Sequence, residues 1–278
     1  MSPVALVTGA SRGIGRASAI ALGRAGFDVV VTARTLEAPA SDGPAEDLRT
    51  TAAAVEAAGS KALALASDLL DFASLDAVVA TTLEHWGRVD VLVNDAVDTG
   101  PGSMEHFVAL DLADVERKLR ANVLAQLVLI KAVLPGMLER GEGTIVNISS
   151  AVATSDPPAP AGAGGWGLGY AASKGAFHRV AGILAVELGS SGIFAVNVDP
   201  GYVVTERMAA DQERLGLAGR YPGAPPSVPA SVVAWLAGGA SAAGASGPIT
   251  EEERRELNGT TVLAQRVARQ RSLHPPWR

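Results

Sequence analysis

Cysteine is absent from all 278 residues, which excludes disulfides, thiolate metal sites and a cysteine nucleophile. That absence is expected of a protein kept in a reducing cytoplasm. Uninterrupted apolar runs long enough to span a bilayer are also missing: the longest, residues 123–134, is broken by Gln126 and Lys131. No basic segment leads into an apolar one at the start of the chain, so no signal peptide and no membrane partner are expected. Positive charge is not in excess. Lys and Arg total 23 against 29 Asp and Glu, a net charge of −6, and nucleic acid is therefore not an expected partner. Only four histidines occur (His85, His106, His178 and His274), and none forms a paired-ligand spacing, so no metal site is expected. No linker and no internal repeat divides the chain, and residues 1–278 read as one domain.

What is present is a folding composition, 48% hydrophobic against 19% charged. The pattern alternates short β-branched runs with stretches of helical periodicity. Strands are expected at 4–7, 29–31, 62–66, 89–93, 144–148 and 194–198, with a last one inside 257–264. Helices are expected at 14–25, 46–58, 74–85, 115–138 and 170–188. Continuous apolar strands alternating with helices imply a doubly wound α/β fold, a parallel sheet with helices on both faces. Residues 37–44, 155–169 and 206–231 are rich in Pro and Gly and read as loops. The last two lie beyond strand ends, where such folds bind ligands, and are expected to wall a substrate site.

The first strand runs into Thr8-Gly9-Ala10-Ser11-Arg12-Gly13-Ile14-Gly15. Glycines at such a turn let a pyrophosphate approach a helix N-terminus. Residues 9–13 also spell the G-x-S-x-G elbow of a serine hydrolase around Ser11. That elbow normally follows several strands and here follows one, so a hydrolase is the remote alternative. An NAD site wants a carboxylate about 20 residues after the glycine turn. The second strand offers none before Glu37; Arg34, with Arg12 in the turn, instead offers planar cations suited to a 2′-phosphate. Tyr170 and Lys174 stand four apart in an expected helix and so share a face. A nearby ammonium is expected to lower the phenol from its usual pKa of about 10, giving a proton donor and acceptor for carbonyl/alcohol chemistry.

The T-G-x-x-x-G-x-G turn followed by Y-x-x-x-K resembles the short-chain dehydrogenases/reductases, and the resemblance runs from Pro3 to Thr205. It implies a Rossmann fold, an NADP(H)-dependent carbonyl/alcohol oxidoreductase acting on a small molecule, and a homodimer or homotetramer formed through the long helices. NADP(H) is expected rather than NAD(H). The resemblance assigns catalysis to Asn122, Ser150, Tyr170 and Lys174, with Ser149 a weaker match than Ser150. Cofactor contacts fall on Gly9, Ser11, Arg12, Gly13, Ile14, Gly15, Arg34, Asp68, Leu69, Asn94, Ala96, Tyr170, Lys174, Pro200, Gly201, Val203 and Thr205. The alternative from another class is a dinucleotide-binding regulator or scaffold without turnover, since a fold alone does not decide activity.

The chain also departs from the family pattern. Asn94-Asp95-Ala96-Val97 stands where the family has N-N-A-G, and Val97 replaces the glycine. Ser150 and Tyr170 lie farther apart than usual because of a Pro/Gly/Ala insertion carrying Trp166. Trp166, Met208, Leu215, Leu217 and Tyr221 point to an apolar pocket. The tail 265–278 is atypical, and its Arg266, Arg269 and Arg271 read as a solvated or subunit-contact segment.

Overall fold

A computed structural model describes residues 2–37, 47–214, 223–239 and 247–277. Seven parallel strands form one sheet in the order β3-β2-β1-β4-β5-β6-β7. The first half runs β1 (Val4–Thr8), α1 (Gly13–Arg24), β2 (Asp28–Ala33), α2 (Leu48–Ala57), β3 (Ala62–Ala66), α3 (Phe72–Trp86) and β4 (Val91–Asn94). The second runs α4 (Leu112–Leu119), α5 (Ala125–Arg140), β5 (Gly143–Ile148), α6 (Leu168–Leu188), β6 (Ile193–Asp199), α7 (Glu206–Arg214), α8 (Ser227–Leu236), α9 (Glu251–Leu257), β7 (Thr261–Leu263) and α10 (Ala264–Gln270). Successive strand residues feed opposite cores. Ala5 and Val7 join the layer beneath α1 and α8, whereas Val4 and Leu6 join the layer beneath α3, α5 and α6. The strand order reverses between β1 and β4, and the crevice at that switch point is where a doubly wound sheet binds ligands.

Several expectations are corrected. The 206–231 segment is not a loop throughout, because α7 and α8 form in its described parts. The α8 sequence SVPASVVAWL is apolar on almost every side and buried, so it shows no amphipathic period to read. The helix expected at 115–138 begins at Leu112 and is interrupted by a π-helical turn, Arg120–Leu124. The joined helix Leu112–Arg140 is long and apolar enough to cross a membrane, contrary to the reading of 123–134. Here Leu129, Ile130, Val133 and Met137 of its inner face fill the core beneath the sheet. The tail is docked: Arg271 stacks on Trp235 and pairs with Glu253, Arg269 stacks on Trp277, and Leu273 is buried. Aromatic faces and a carboxylate absorb two of the three cations that looked solvated in sequence; Arg266 remains exposed. Positions 38–44 of the loop expected after β2, and Leu215, Leu217 and Tyr221, lie outside the described residues.

Candidate active site

The glycine turn closes β1 against the loop after β4. The Thr8 hydroxyl accepts the Asp95 and Ala96 backbone N–H groups, each at 3.1 Å. Gly9 sits at φ +68°, and a Cβ there would meet the Ala96 Cα at 2.9 Å. A Cβ on Gly15 would meet the Gly9 carbonyl oxygen at 2.4 Å. Only glycine lets these backbones approach so closely. Arg12 caps α1 with no side-chain bond, so the helix N–H groups are offered outward. Gly13 N–H donates to the Glu206 carboxylate at 3.0 Å. This helix N-terminus therefore already holds an anion, the charge type a dinucleotide pyrophosphate would bring. Thr205 stands beside it, its methyl 3.4 Å from where a Gly13 Cβ would lie. The turn thus fits the cofactor that the sequence implied.

The remaining expected cofactor residues divide by where their side chains go. Arg12 and Arg34 are exposed and form no ion pair among the described residues. Asp68 and Leu69 follow the end of β3, and the Asp68 carboxylate accepts Leu70 N–H at 2.9 Å. The Asn94 side chain does not reach the crevice. It is buried and donates across the sheet to Asn147 at 3.0 Å, while its carbonyl oxygen has no hydrogen-bond partner among the described residues. Pro200 and Tyr202 present carbonyls to the Gln265 amide at 3.0 and 2.9 Å, which braces the Pro-Gly turn. Val203 is buried, and Val204 N–H bonds Ala224.

On the other side of the crevice β5 and α6 meet. Neighbouring serines at the β5 end point to different partners, as alternation along a strand requires. Ser149 is buried and hydrogen-bonds His178 Nδ1 at 2.8 Å, while His178 Nε2 meets Thr261 at 3.2 Å. The Ser150 hydroxyl accepts Val152 N–H at 3.3 Å and lies close enough to the Tyr170 phenol to favour its ionised form. Lys174 is buried and donates to the Ile148 carbonyl at 2.7 Å. Burial pushes its ammonium down to about 8, against the opposing pull of Asp95. The Tyr170 phenol is pushed up, not down: burial raises it, the Ser150 hydroxyl lowers it, and the charges of Asp199 and Asp95 raise it further. The expected acidification by Lys174 is therefore corrected. The amine is turned to the strand-end carbonyl, and the charges that act on the phenol are negative.

Asn122 lies in the π-helical turn. Its carbonyl oxygen accepts Asp98 N–H at 2.7 Å and its amide donates to Ser173 at 3.0 Å. The Ser173 hydroxyl in turn donates to the Tyr170 carbonyl at 2.9 Å. Asn122 thus ties the loop after β4 to the helix carrying Tyr170 and Lys174, and its side chain is occupied by protein groups.

Sequence reading missed two groups in the same loop. Asp98 receives the buried Lys118 ammonium at 3.1 Å and Arg117 at 2.7 Å, and Lys118 also donates to the Gly100 carbonyl at 3.0 Å. This clamp fixes the rim opposite the insertion, where Gly167 N–H meets the Ser103 carbonyl at 2.7 Å. Asp95 carries a carboxylate under the glycine turn, within hydrogen-bonding reach of Gly15 N–H. The departure from N-N-A-G at that position was the available signal. None of the four histidines hydrogen-bonds Ser11 among the described residues, so the hydrolase alternative lacks its base.

The short chain dehydrogenase family matches residues 3–215 of this chain. The protein belongs to that family. It is 36% identical over 215 residues to the short-chain reductase protein NovJ of Streptomyces niveus, covering 77% of this chain and 74% of that one. An uncharacterized NAD-dependent oxidoreductase of Mycobacterium tuberculosis is 35% identical over 271 residues, 86% of this chain and 90% of the relative. Among solved structures, an actinorhodin polyketide ketoreductase with NADPH superposes with a TM-score of 0.74 at 29% identity, over 95% of this chain and 96% of that one. The family and its seven-stranded sheet agree with the sequence reading, and the activity is that of an oxidoreductase family using a nicotinamide dinucleotide.

Proposed function

We propose that the protein interconverts a carbonyl and a secondary alcohol on an apolar small molecule, with NADP(H) as its cofactor. The observation that carries this reading is the convergence of Ser150, Tyr170 and Lys174 at the strand ends that face the glycine turn. When bound, the dinucleotide supplies or accepts the hydride at the substrate carbon. The rest falls to the chain. Tyr170 donates its proton to the substrate oxygen in reduction and, as phenolate, takes it back in oxidation. Ser150, next to the phenol, orients that oxygen. Lys174 holds the nicotinamide ribose with its ammonium. Asn122 holds α6 in register with the loop after β4. The glycine turn holds the pyrophosphate, Arg12 and Arg34 hold the 2′-phosphate, and Pro200 to Thr205 flank the nicotinamide.

Preference for NADP(H) is supported by the two exposed guanidiniums, free of ion pairs among the described residues, and by the lack of an acid at the end of β2. The NAD-dependent relative makes this a matter for measurement. Arg34→Asp should shift the ratio of NADPH to NADH efficiency toward NADH by about tenfold, the worth of one charge-assisted contact. An unchanged ratio would remove the 2′-phosphate reading. Leu124, Leu138, Ile183 and Val186 are exposed on the long helices, which supports assembly of a homodimer or homotetramer; the absence of cysteine is the ground for placing that assembly in the cytoplasm.

The deciding experiment is Tyr170→Phe, assayed against a panel of apolar ketones with NADPH. Turnover should fall about 10²–10⁴-fold, the usual worth of a general acid, while NADPH binding persists. Full turnover in that variant overturns the mechanism. A wild type that binds NADPH yet turns over no ketone or alcohol favours the regulator or scaffold reading instead.

A further inference from the structure

Two carboxylates touch the glycine turn, and they do so from different sides. Glu206 is exposed and binds Gly13 N–H from the mouth of the crevice, where it can swing away. Asp95 is held from below. Its own N–H is fixed by Thr8, and its carboxylate oxygen lies 3.3 Å from where a Gly9 Cβ would be and 2.7 Å from where a Gly15 Cβ would be. A pyrophosphate docking on this turn therefore meets a carboxylate already directed at the Gly15 N–H from below.

We propose that Asp95 makes dinucleotide binding proton-coupled: its carboxylate takes up one proton from solvent when the pyrophosphate docks on the turn above it. This rests on the reading that the crevice binds a nicotinamide dinucleotide. Two like charges sharing one poorly hydrated site disfavour each other, and the side chain that can be neutralised yields. Burial already raises the Asp95 carboxyl to about 7, opposed by the Lys174 charge and Gly15 N–H, so one proton is available near neutrality. The groups facing it are few. α6 contributes Lys174 and Tyr170, both of which feel its charge. The contacts from β1 and α1 are uncharged: the Thr8 hydroxyl and the Gly9 and Gly15 backbones. From α5, the Gln126 amide bonds the neighbouring Ala96 carbonyl at 3.1 Å. The N-N-A-G pattern of the family has an amide at this position, which carries no such charge.

The test is calorimetric titration of NADPH, and of NADH, into the wild type and Asp95→Asn from pH 6 to 9. Buffers of different ionisation enthalpy report proton uptake directly. NADH removes the contribution of the 2′-phosphate, and Asp95→Asn retains Lys174, so any slope left in the variant belongs to other groups. The wild-type association constant should fall roughly tenfold between pH 7 and 8.5, with proton uptake approaching one per site. Asp95→Asn should show a clearly shallower fall over that range, the remainder belonging to Lys174, and bind several-fold tighter at pH 8.5. Asp95→Ser serves if the amide variant does not fold. Wild-type binding without proton uptake at pH 8 overturns the proposal, as do equal pH slopes in the wild type and the variants. Failure of every protein to bind either dinucleotide at any pH overturns the proposed function, and this inference with it.

Discussion

Two aspartates at the start of the loop after β4, Asp95 and Asp98, enter regions that treat a buried lysine in opposite ways. Around Asp98 the charges are matched. Lys118 is fully buried yet has a carboxylate at 3.1 Å and two backbone carbonyls within 3.2 Å. Around Asp95 they are not. Lys174 has one carbonyl acceptor and no carboxylate within ion-pair distance among the described residues, so burial pushes its ammonium down and the Asp95 carboxyl up. A buried pair in contact holds a shape, whereas separated buried charges stay easy to titrate. Rigidity sits in the first region and proton chemistry in the second, a few residues apart on one loop.

Breaking the matched region should have the largest effect. Asp98→Asn leaves Lys118 buried without its counter-charge and should cost about 3–5 kcal/mol in chemical denaturation. A loss under 1 kcal/mol would mean that the two regions do not differ as described. Lys174→Met should act in the opposite direction on stability while abolishing turnover. The wild-type folded state holds Lys174 at about 8 against the ordinary lysine value of 10.5, so its stabilising share is lost as pH falls from 10.5 through 8. The variant should therefore be more stable than the wild type by about 1–3 kcal/mol at pH 7, and the gain should vanish near pH 10.5. A gain that does not depend on pH would reflect packing rather than charge. The smallest effect is expected at Ser149, which lies next to Ser150 but faces His178. Ser149→Ala should cost about 1 kcal/mol of stability and leave turnover within a few-fold. A loss of turnover comparable to that of Tyr170→Phe would move Ser149 into the reaction.

Much of this was legible before the fold. The glycine turn, the strands on either side of it and the Tyr170–Lys174 spacing are local patterns, and each lies where it was expected. The electrostatics were not legible. Spacing alone put an ammonium beside the phenol. It could not show that the Lys174 side chain turns to the Ile148 carbonyl, or that Asp199 and Asp95 lie close enough to raise the phenol. Asn94 was expected to contact the cofactor because it matches the first asparagine of the family's N-N-A-G. Only its register partner, Asn147, shows that the side-chain amide is bonded within the sheet. The helix α8 was missed because burial on all sides erases the amphipathic period. The tail was misjudged because the aromatic faces that receive its arginines include Trp235, remote in sequence.

By itself the sequence determined the alternation of strands and helices, the turn that only glycine can make, and the spacing of phenol and amine. Those are matters of backbone sterics and of periodicity within a few residues. Which of two neighbouring serines meets the phenol, which buried lysine finds a carboxylate, and which acid lies under the turn were decided by the tertiary structure. Desolvation and Coulomb interaction depend on distances between groups far apart in the chain, and no local pattern carries those distances.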